Sequence, residues 1–125
     1  PTMPQAAPRF PVCPSAALTD GRHIKVDMTF EGRPEECLIV RFEGRPYAYI
    51  NRCVHMPRAL DCEQDTVFDE TGRFLRCSMH GIVYTPQSGI SLSAMCEGQQ
   101  LRPVELYEED GEIGLADYRI SAVQR

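Results

Sequence analysis

Two short segments of this sequence place a cysteine and a histidine close together. The first is C-V-H, from Cys53 to His55, and the second is C-S-M-H-G, which contains Cys77 and His80. The chain has only three histidines, so two of the three lie beside cysteines. One thiolate and one imidazole from each segment together supply two sulfur and two nitrogen ligands, a set that can bind a metal centre.

Two kinds of metal centre accept this set of ligands, a tetrahedral zinc ion and a [2Fe–2S] cluster. Zinc fingers usually pair Cys with Cys and His with His, because each pair chelates the metal from one knuckle or one helix turn. Here each segment mixes the two residue types, as expected when each loop gives a Cys to one iron and a His to the other. The spacing favours the cluster, and a structural zinc module is the alternative.

The elements that must position these ligands are predicted to be short β-strands. Residues 22–30 alternate apolar with charged side chains, which indicates a half-buried strand. Residues 36–42 and 47–50 are typical of two strands joined by the turn E-G-R-P. Residues 102–107 and 113–116 flank the turn E-E-D-G and predict a hairpin. We therefore predict an all-β fold.

The ligands lie in a middle segment that differs from these strands. Residues 51–90 consist mainly of turns and loops, with a hairpin predicted where 66–68 and 74–76 flank the turn D-E-T-G. Residues 1–9 are rich in Pro and Ala and predict a loose N-terminal arm. A chain of 125 residues fits one domain, 1–125, with the middle segment as its ligand-bearing insertion.

Composition narrows the classes of partner. A net charge of -5 argues against nucleic acid or an anionic membrane surface as the partner. The apolar stretches are too short to cross a bilayer and no leader is recognisable, so we expect a cytoplasmic protein. The six cysteines are irregularly spaced, which favours metal ligands and packed thiols over a disulfide framework.

These features resemble the Rieske [2Fe–2S] protein family, and most of all its ferredoxins. The resemblance rests on the C-x-H box at Cys53, the C-x-x-H-G box at Cys77 and the run Y-T-P-Q-S-G over residues 84–89. It covers about residues 22–116. It implies an antiparallel β-sandwich with a small, loop-rich cluster-binding subdomain, and one [2Fe–2S] cluster per chain.

The resemblance also implies a role for each residue of the two boxes. Cys53 and Cys77 would bind the buried iron, and His55 and His80 would bind the iron near the surface, which exchanges electrons. Gly81 would let the backbone come close to the cluster.

The resemblance also allows the reduction potential of the cluster to be predicted from residues in and after the second box. Tyr84 stands where the family's high-potential branch has a hydrogen-bond donor, whereas Ile82 stands where that branch has a serine. Met79 replaces the extra cysteine that forms a bracing disulfide there, so we expect no such disulfide. The gap between the boxes is longer than usual. The loss of the serine donor, with the tyrosine donor kept, predicts a low rather than a high potential.

The function implied is that of a one-electron carrier. Its partners would be redox proteins, a reductase that donates electrons and a terminal oxygenase that accepts them. An alternative is a small subunit or regulatory redox module of a larger enzyme such as nitrite reductase. Only His23 remains outside the boxes, too few for a second, mononuclear iron site, and no glycine-rich nucleotide motif is present. We therefore expect an electron-transfer component rather than a complete enzyme.

Overall fold

A computed structural model of the chain describes residues 9–52, 60, 67–77, 82–93 and 99–124. Its strands are β1 (Arg9–Pro14), β2 (His23–Phe30), β3 (Arg33–Phe42), β4 (Arg45–Ile50), β5 (Leu75–Arg76), β6 (Val83–Tyr84), β7 (Pro103–Val104), β8 (Leu106–Glu109), β9 (Glu112–Ala116) and β10 (Ile120–Gln124). Among these described residues the only helix is a 3-10 turn, Ser15–Ala17. No helix in these ranges is long and apolar enough to cross a membrane.

The strands form three antiparallel sheets. A five-stranded sheet has the order β10-β2-β3-β4-β7, a three-stranded sheet has the order β1-β9-β8, and β5 pairs with β6. The two larger sheets bury one shared set of side chains, which we call the sandwich core: Leu18, Val26, Met28, Phe30, Cys37, Ile39, Ala48, Ile50, Val104, Ile113, Leu115 and Ile120. The predicted all-β, antiparallel sandwich is confirmed.

Three tight hairpins set the register of the two larger sheets. Each has a two-residue turn of an acidic residue and a glycine, at Glu31–Gly32, Glu43–Gly44 and Asp110–Gly111, and both residues of each turn have positive φ. Such turns match the right-handed twist of the flanking strands. The last two confirm the hairpins predicted from the sequence.

Strand β3 carries apolar side chains on both of its faces. Four consecutive residues, Cys37 to Val40, are fully buried. Because side chains alternate between the faces of a strand, Cys37 and Ile39 enter the sandwich core while Leu38 and Val40 point to the other face. There they join a second set of buried side chains, which we call the site core: Leu38, Val40, Tyr49, Leu60, Val67, Phe68, Leu75, Cys77, Ile82, Tyr84 and Leu101.

The predicted strands at 22–30, 36–42, 47–50 and 113–116 correspond to β2, β3, β4 and β9. The prediction of one strand over 102–107 was wrong, because the chain changes sheets at Glu105. Its N–H donates to the Asp117 carboxylate at 3.0 Å, and β7 and β8 lie on either side. Strands β1 and β10 were not predicted. Residues 1–8 of the predicted arm lie outside the described residues, and Arg9 is the first residue of β1.

Candidate metal centre

Two of the six residues predicted to bind or surround a cluster belong to the described part of the chain. These two are Cys77 and Tyr84. The other four lie outside the described residues: Cys53, His55, His80 and Gly81. The geometry of the site is therefore given by the second box and by the elements at which each ligand-bearing segment starts and ends.

The second box begins at Cys77, directly after strand β5, which pairs with β6. The two strands pair antiparallel, and one residue beyond β5 the N–H of Cys77 donates to the carbonyl oxygen of Ile82 at 2.8 Å. This bond extends the ladder, so Cys77 lies at the base of the connection formed by residues 78–81. The hairpin thus fixes the start and the end of the segment that contains His80.

Neighbouring backbone holds this hairpin on both sides. On one side the N–H of Arg76 donates to the carbonyl oxygen of Val67 at 2.8 Å, and on the other the N–H of Leu92 donates to that of Val83 at 2.8 Å. A two-residue strand pair is too short to be stable alone. These extra bonds give the site a small sheet-like base in place of an isolated hairpin.

Cys77 is fully buried in the site core, at 0% exposure, and Tyr84 is buried to the same degree. Both belong to one apolar cluster that packs on β3 and β4. The Cys77 side chain is therefore shielded from solvent among apolar side chains, a low-dielectric environment that strengthens electrostatic interactions within it.

The first box begins where β4 ends. Asn51 follows that strand and is 6% exposed. Its side-chain Nδ2 donates to Glu36 Oε1 at 2.7 Å, and its Oδ1 accepts the N–H of Leu60 at 2.9 Å. Cys53 and His55 lie between Asn51 and Leu60 in the sequence, so this hydrogen bond joins the two sides of the stretch that contains the first box. Sequence reasoning missed Asn51, although a polar residue directly after an apolar strand is a signal that could have identified it.

The run Y-T-P-Q-S-G forms a compact turn packed on β4. The buried hydroxyl of Tyr49 donates to the carbonyl oxygen of Pro86 at 2.6 Å, and burial raises the pKa of that hydroxyl. Within the turn, Thr85 and Ser88 share a side-chain hydrogen bond, and the N–H of Gly89 donates to the carbonyl oxygen of Thr85 at 2.7 Å. The turn therefore anchors the end of β6 to the sandwich.

The hairpin predicted between the two boxes is present. Phe68 forms a β-bridge with Leu75, and the N–H of Asp69 donates to the carbonyl oxygen of Phe74 at 2.8 Å. Val67 and Phe68 are buried in the site core. The longer gap between the boxes thus contributes to the packing around Cys77.

The remaining cysteines divide by location. Cys37 lies in the sandwich core and Cys13 packs against it; neither forms a disulfide, and burial raises the pKa of both thiols. Cys62 and Cys96 lie outside the described residues. Within the described ranges no group of three or more His, Cys, Asp or Glu side chains could hold a metal ion, as expected when three of the four predicted ligands lie elsewhere in the chain.

Comparison with known protein families gives one match, the Rieske [2Fe–2S] domain, over residues 9–112. This match covers most of the chain and includes both boxes. No curated protein matches the sequence.

Solved structures share the fold at low sequence identity. One chain of a complex of reduced oxygenase and oxidized ferredoxin in carbazole 1,9a-dioxygenase matches with a TM-score of 0.72 and 20% identity, over 91% of this chain and 96% of that one. The terminal oxygenase of carbazole 1,9a-dioxygenase from Novosphingobium sp. KA1 matches with a TM-score of 0.70 and 23% identity, over 87% of this chain and 29% of that one. A carbazole-bound oxygenase and ferredoxin complex of carbazole 1,9a-dioxygenase matches with a TM-score of 0.69 and 23% identity, over 86% of this chain and 28% of the matched chain. This chain thus spans under a third of the longer chains that it matches.

Proposed function

The chain belongs to the Rieske [2Fe–2S] domain family, and from this premise we propose that it carries single electrons from a reductase to a terminal oxygenase. Its cofactor is a [2Fe–2S] cluster. The observation that supports the proposal most directly is a fully buried cysteine, Cys77, held at the base of a hairpin connection that contains the second predicted histidine ligand.

The donor set fits the cluster. Cys53 and Cys77 supply the two thiolates, and His55 and His80 supply the two imidazoles. The burial of Cys77 in the site core suits the inner iron, which is the one bound by the cysteines in this family. When bound, the cluster supplies reversible one-electron chemistry, and the neutral imidazoles make it easier to reduce than an all-cysteine cluster.

The chain's own residues have the task of holding and shielding this centre. The β5–β6 hairpin fixes Cys77, and the site core excludes water from its sulfur. A rigid, dry surrounding keeps the reorganisation on electron transfer small, because few protein or solvent dipoles must move.

The matched structures are compatible with an electron-transfer role beside an oxygenase. One chain of an oxygenase and ferredoxin complex matches over 96% of its length, whereas the longer oxygenase chain matches over only 29%. Because the identities are low, these matches support the fold, and the pairing with a reductase and an oxygenase is part of the proposal.

The first test is the electron paramagnetic resonance (EPR) spectrum of dithionite-reduced protein purified without oxygen, with iron and zinc quantified on the same sample. We expect a rhombic signal with a low average g value and two irons per chain. A protein with one zinc and no signal would instead identify a structural zinc module.

The ligands are tested by substitution with a matched control. Cys77→Ala, His55→Ala and His80→Ala should each abolish the Rieske signal. Cys37 is buried to the same degree as Cys77 but lies in the sandwich core, so Cys37→Ala should keep the signal. Equal loss of signal in Cys77→Ala and Cys37→Ala would mean that the effect is one of folding alone.

The partners are tested by stopped-flow electron transfer with a separately purified reductase and a ring-hydroxylating oxygenase. A mobile carrier with a net charge of -5 should react in a second-order step whose rate falls as salt is raised, because screening weakens its attraction to a basic partner surface. Stable co-purification with a large subunit, without exchange between molecules, would contradict the carrier.

A further inference from the structure

Asn51 forms hydrogen bonds to residues on both sides of the stretch that contains Cys53 and His55. Residues 53–59 lie between Arg52, at the end of the β4 region, and Leu60. The backbone N–H of Asn51 donates to the carbonyl oxygen of Glu36 at 2.9 Å, which ties the chain to β3 just before the segment begins. The Asn51 side chain then accepts the N–H of Leu60 at 2.9 Å, just after the segment ends.

The bonds to Leu60 and Glu36 determine the orientation of the Asn51 amide. A backbone N–H can only donate and an ionised carboxylate can only accept, so Oδ1 must face Leu60 and Nδ2 must face Glu36. Only a side chain with one donor and one acceptor satisfies both. Because Asn51 is 6% exposed, water compensates poorly for a lost bond.

The Leu60 end of these hydrogen bonds lies in the site core. Leu60 is fully buried in the site core together with Cys77. The hydrogen bond from Leu60 to Asn51 therefore links the end of β4 to the packed surroundings of Cys77.

We propose that Asn51 is a positioning residue that, oriented by Glu36, holds the first ligand-bearing segment at the correct separation from Cys77. This inference rests on the proposed function, because it takes Cys53 and His55 as cluster ligands. Asn51 acts through the backbone at Leu60 and does not itself bind the cluster.

The test uses the complete holoprotein and a donor–acceptor exchange. Asn51→Asp places a carboxylate against Glu36, and Asn51→Leu removes both hydrogen bonds. Either should accelerate loss of the visible cluster absorption in the presence of an iron chelator by about tenfold or more, the factor that corresponds to one or two buried hydrogen bonds. Both should also shift the EPR g values, because the geometry of the first segment changes.

Rescue distinguishes positioning from a general loss of stability. Glu36→Gln alone should stay close to the wild-type release rate, because its side-chain oxygen still accepts from Asn51. In the double variant Asn51→Asp/Glu36→Gln, the new amide donates to the new carboxylate, whose other oxygen accepts from Leu60. The release rate should therefore return to within about threefold of wild type, since a relocated neutral donor restores most of one hydrogen bond.

Two controls complete the experiment. Arg102 accepts the N–H of Ile50 through its backbone carbonyl, and its side chain forms an exposed ion pair with Glu31, so Arg102→Ala should leave the release rate and the g values unchanged. Asp117→Asn should lower the melting temperature and leave the g values unchanged. If the release rate in the Asn51 variants only follows the melting temperature, as in Asp117→Asn, or if the double variant is not rescued, the inference is wrong. Absence of a Rieske signal in the wild type would instead overturn the proposed function, and the inference with it.

Discussion

At the scale of the single residue, we propose that Tyr84 tunes the reduction potential of the centre. It is fully buried and shares the site core with Cys77. A tyrosine hydroxyl that donates a hydrogen bond towards the cluster stabilises the reduced state, in which the sulfurs are more negative. The aromatic ring alone would contribute only packing.

The substitution Tyr84→Phe separates these two roles. Removal of one hydrogen bond worth about 0.5–1.5 kcal/mol should lower the midpoint potential by about 20–60 mV, because 59 mV corresponds to a tenfold change for one electron. The potential is measured by redox titration of the visible or circular dichroism spectrum. Tyr47→Phe, at the edge of the same core, is the control and should leave it unchanged. If the midpoint potential of Tyr84→Phe is unchanged, the hydroxyl does not tune the cluster and Tyr84 contributes only packing.

At the scale of the element, the turn after β6 depends on a close approach between Gly89 and β4. Gly89 has φ +74°, and a Cβ atom there would lie 2.7 Å from the Tyr49 ring and 3.2 Å from Leu101 Cβ. Both neighbours are buried in the site core, so neither can move easily. The glycine therefore allows the turn to pack against the sheet.

Alanine at this position should cost both backbone strain and overpacking. Gly72 is a matched control, because it also has φ +74° but a Cβ atom there would meet no other atom within 4 Å. Gly72→Ala should show the left-handed strain alone, about 1–2 kcal/mol. Gly89→Ala should lower the free energy of unfolding by about 1–3 kcal/mol more, measured by denaturant titration. Equal losses in the two variants would show that the contact with Tyr49 relaxes without cost.

The elements that the sequence predicted well are those with a clear alternation or a strong turn. Strand β2 alternates cleanly, and β3 and β4 flank an acidic–glycine turn. Strand β1 was missed because Pro11 and Pro14 interrupt its pattern. The structure accommodates them at a sheet edge, with a register shift between Pro11 and Cys13.

The candidate site was predictable in its chemistry but not in its supports. The Cys and His spacing predicted the two boxes, and the hairpin between Phe68 and Leu75 followed from the turn D-E-T-G. The role of Asn51 depends on the register that places Cys37 opposite Ile50, so that Glu36 reaches the residue after β4. Such a register is a property of the folded sheet and cannot be read from one strand's sequence.

At the scale of the whole molecule, Asp117 connects the two sheets where the chain passes between them. It accepts hydrogen bonds from Arg119 and from the N–H of Glu105, and its side chain is 3% exposed. The Arg119 guanidinium, together with the backbone N–H groups of Glu105 and Arg119, holds the pKa of Asp117 at about 2 against the opposing effect of burial.

This ion pair predicts the response of the fold to acid. Because the pKa of Asp117 is lower in the folded than in the unfolded chain, its contribution is fully present above about pH 4 and is lost as the pH falls towards 2. The loss should be about 2 kcal/mol, measured by denaturant titration at a series of pH values. Asp117→Asn should flatten the curve in that range. Glu109→Gln, in an exposed ion pair, should not.

The two cores meet at β3 and β4. This arrangement determines which parts of the fold should unfold when the cluster is lost. The sandwich core is built from two extensive sheets, whereas the site core is closed by the two-residue strands β5 and β6 and by isolated bridges. Short strands without a large sheet contribute little stability of their own. The site core should therefore depend on the bound cluster more than the sandwich does.

Removal of the cluster should accordingly unfold one part of the molecule and leave the other. In protein stripped of iron, hydrogen exchange of the amides of β5 and β6 should accelerate by about a hundredfold or more, because metal binding supplies folding free energy locally. The amides of β2 and β3 should stay protected, since they are bonded within the five-stranded sheet and pack on the sandwich core. Exchange is measured by mass spectrometry on holo and stripped protein, and cluster reconstitution should restore the protection of β5 and β6. Equal loss of protection in both regions would mean that the cluster stabilises the sandwich as a whole, and that the two cores unfold as one cooperative unit.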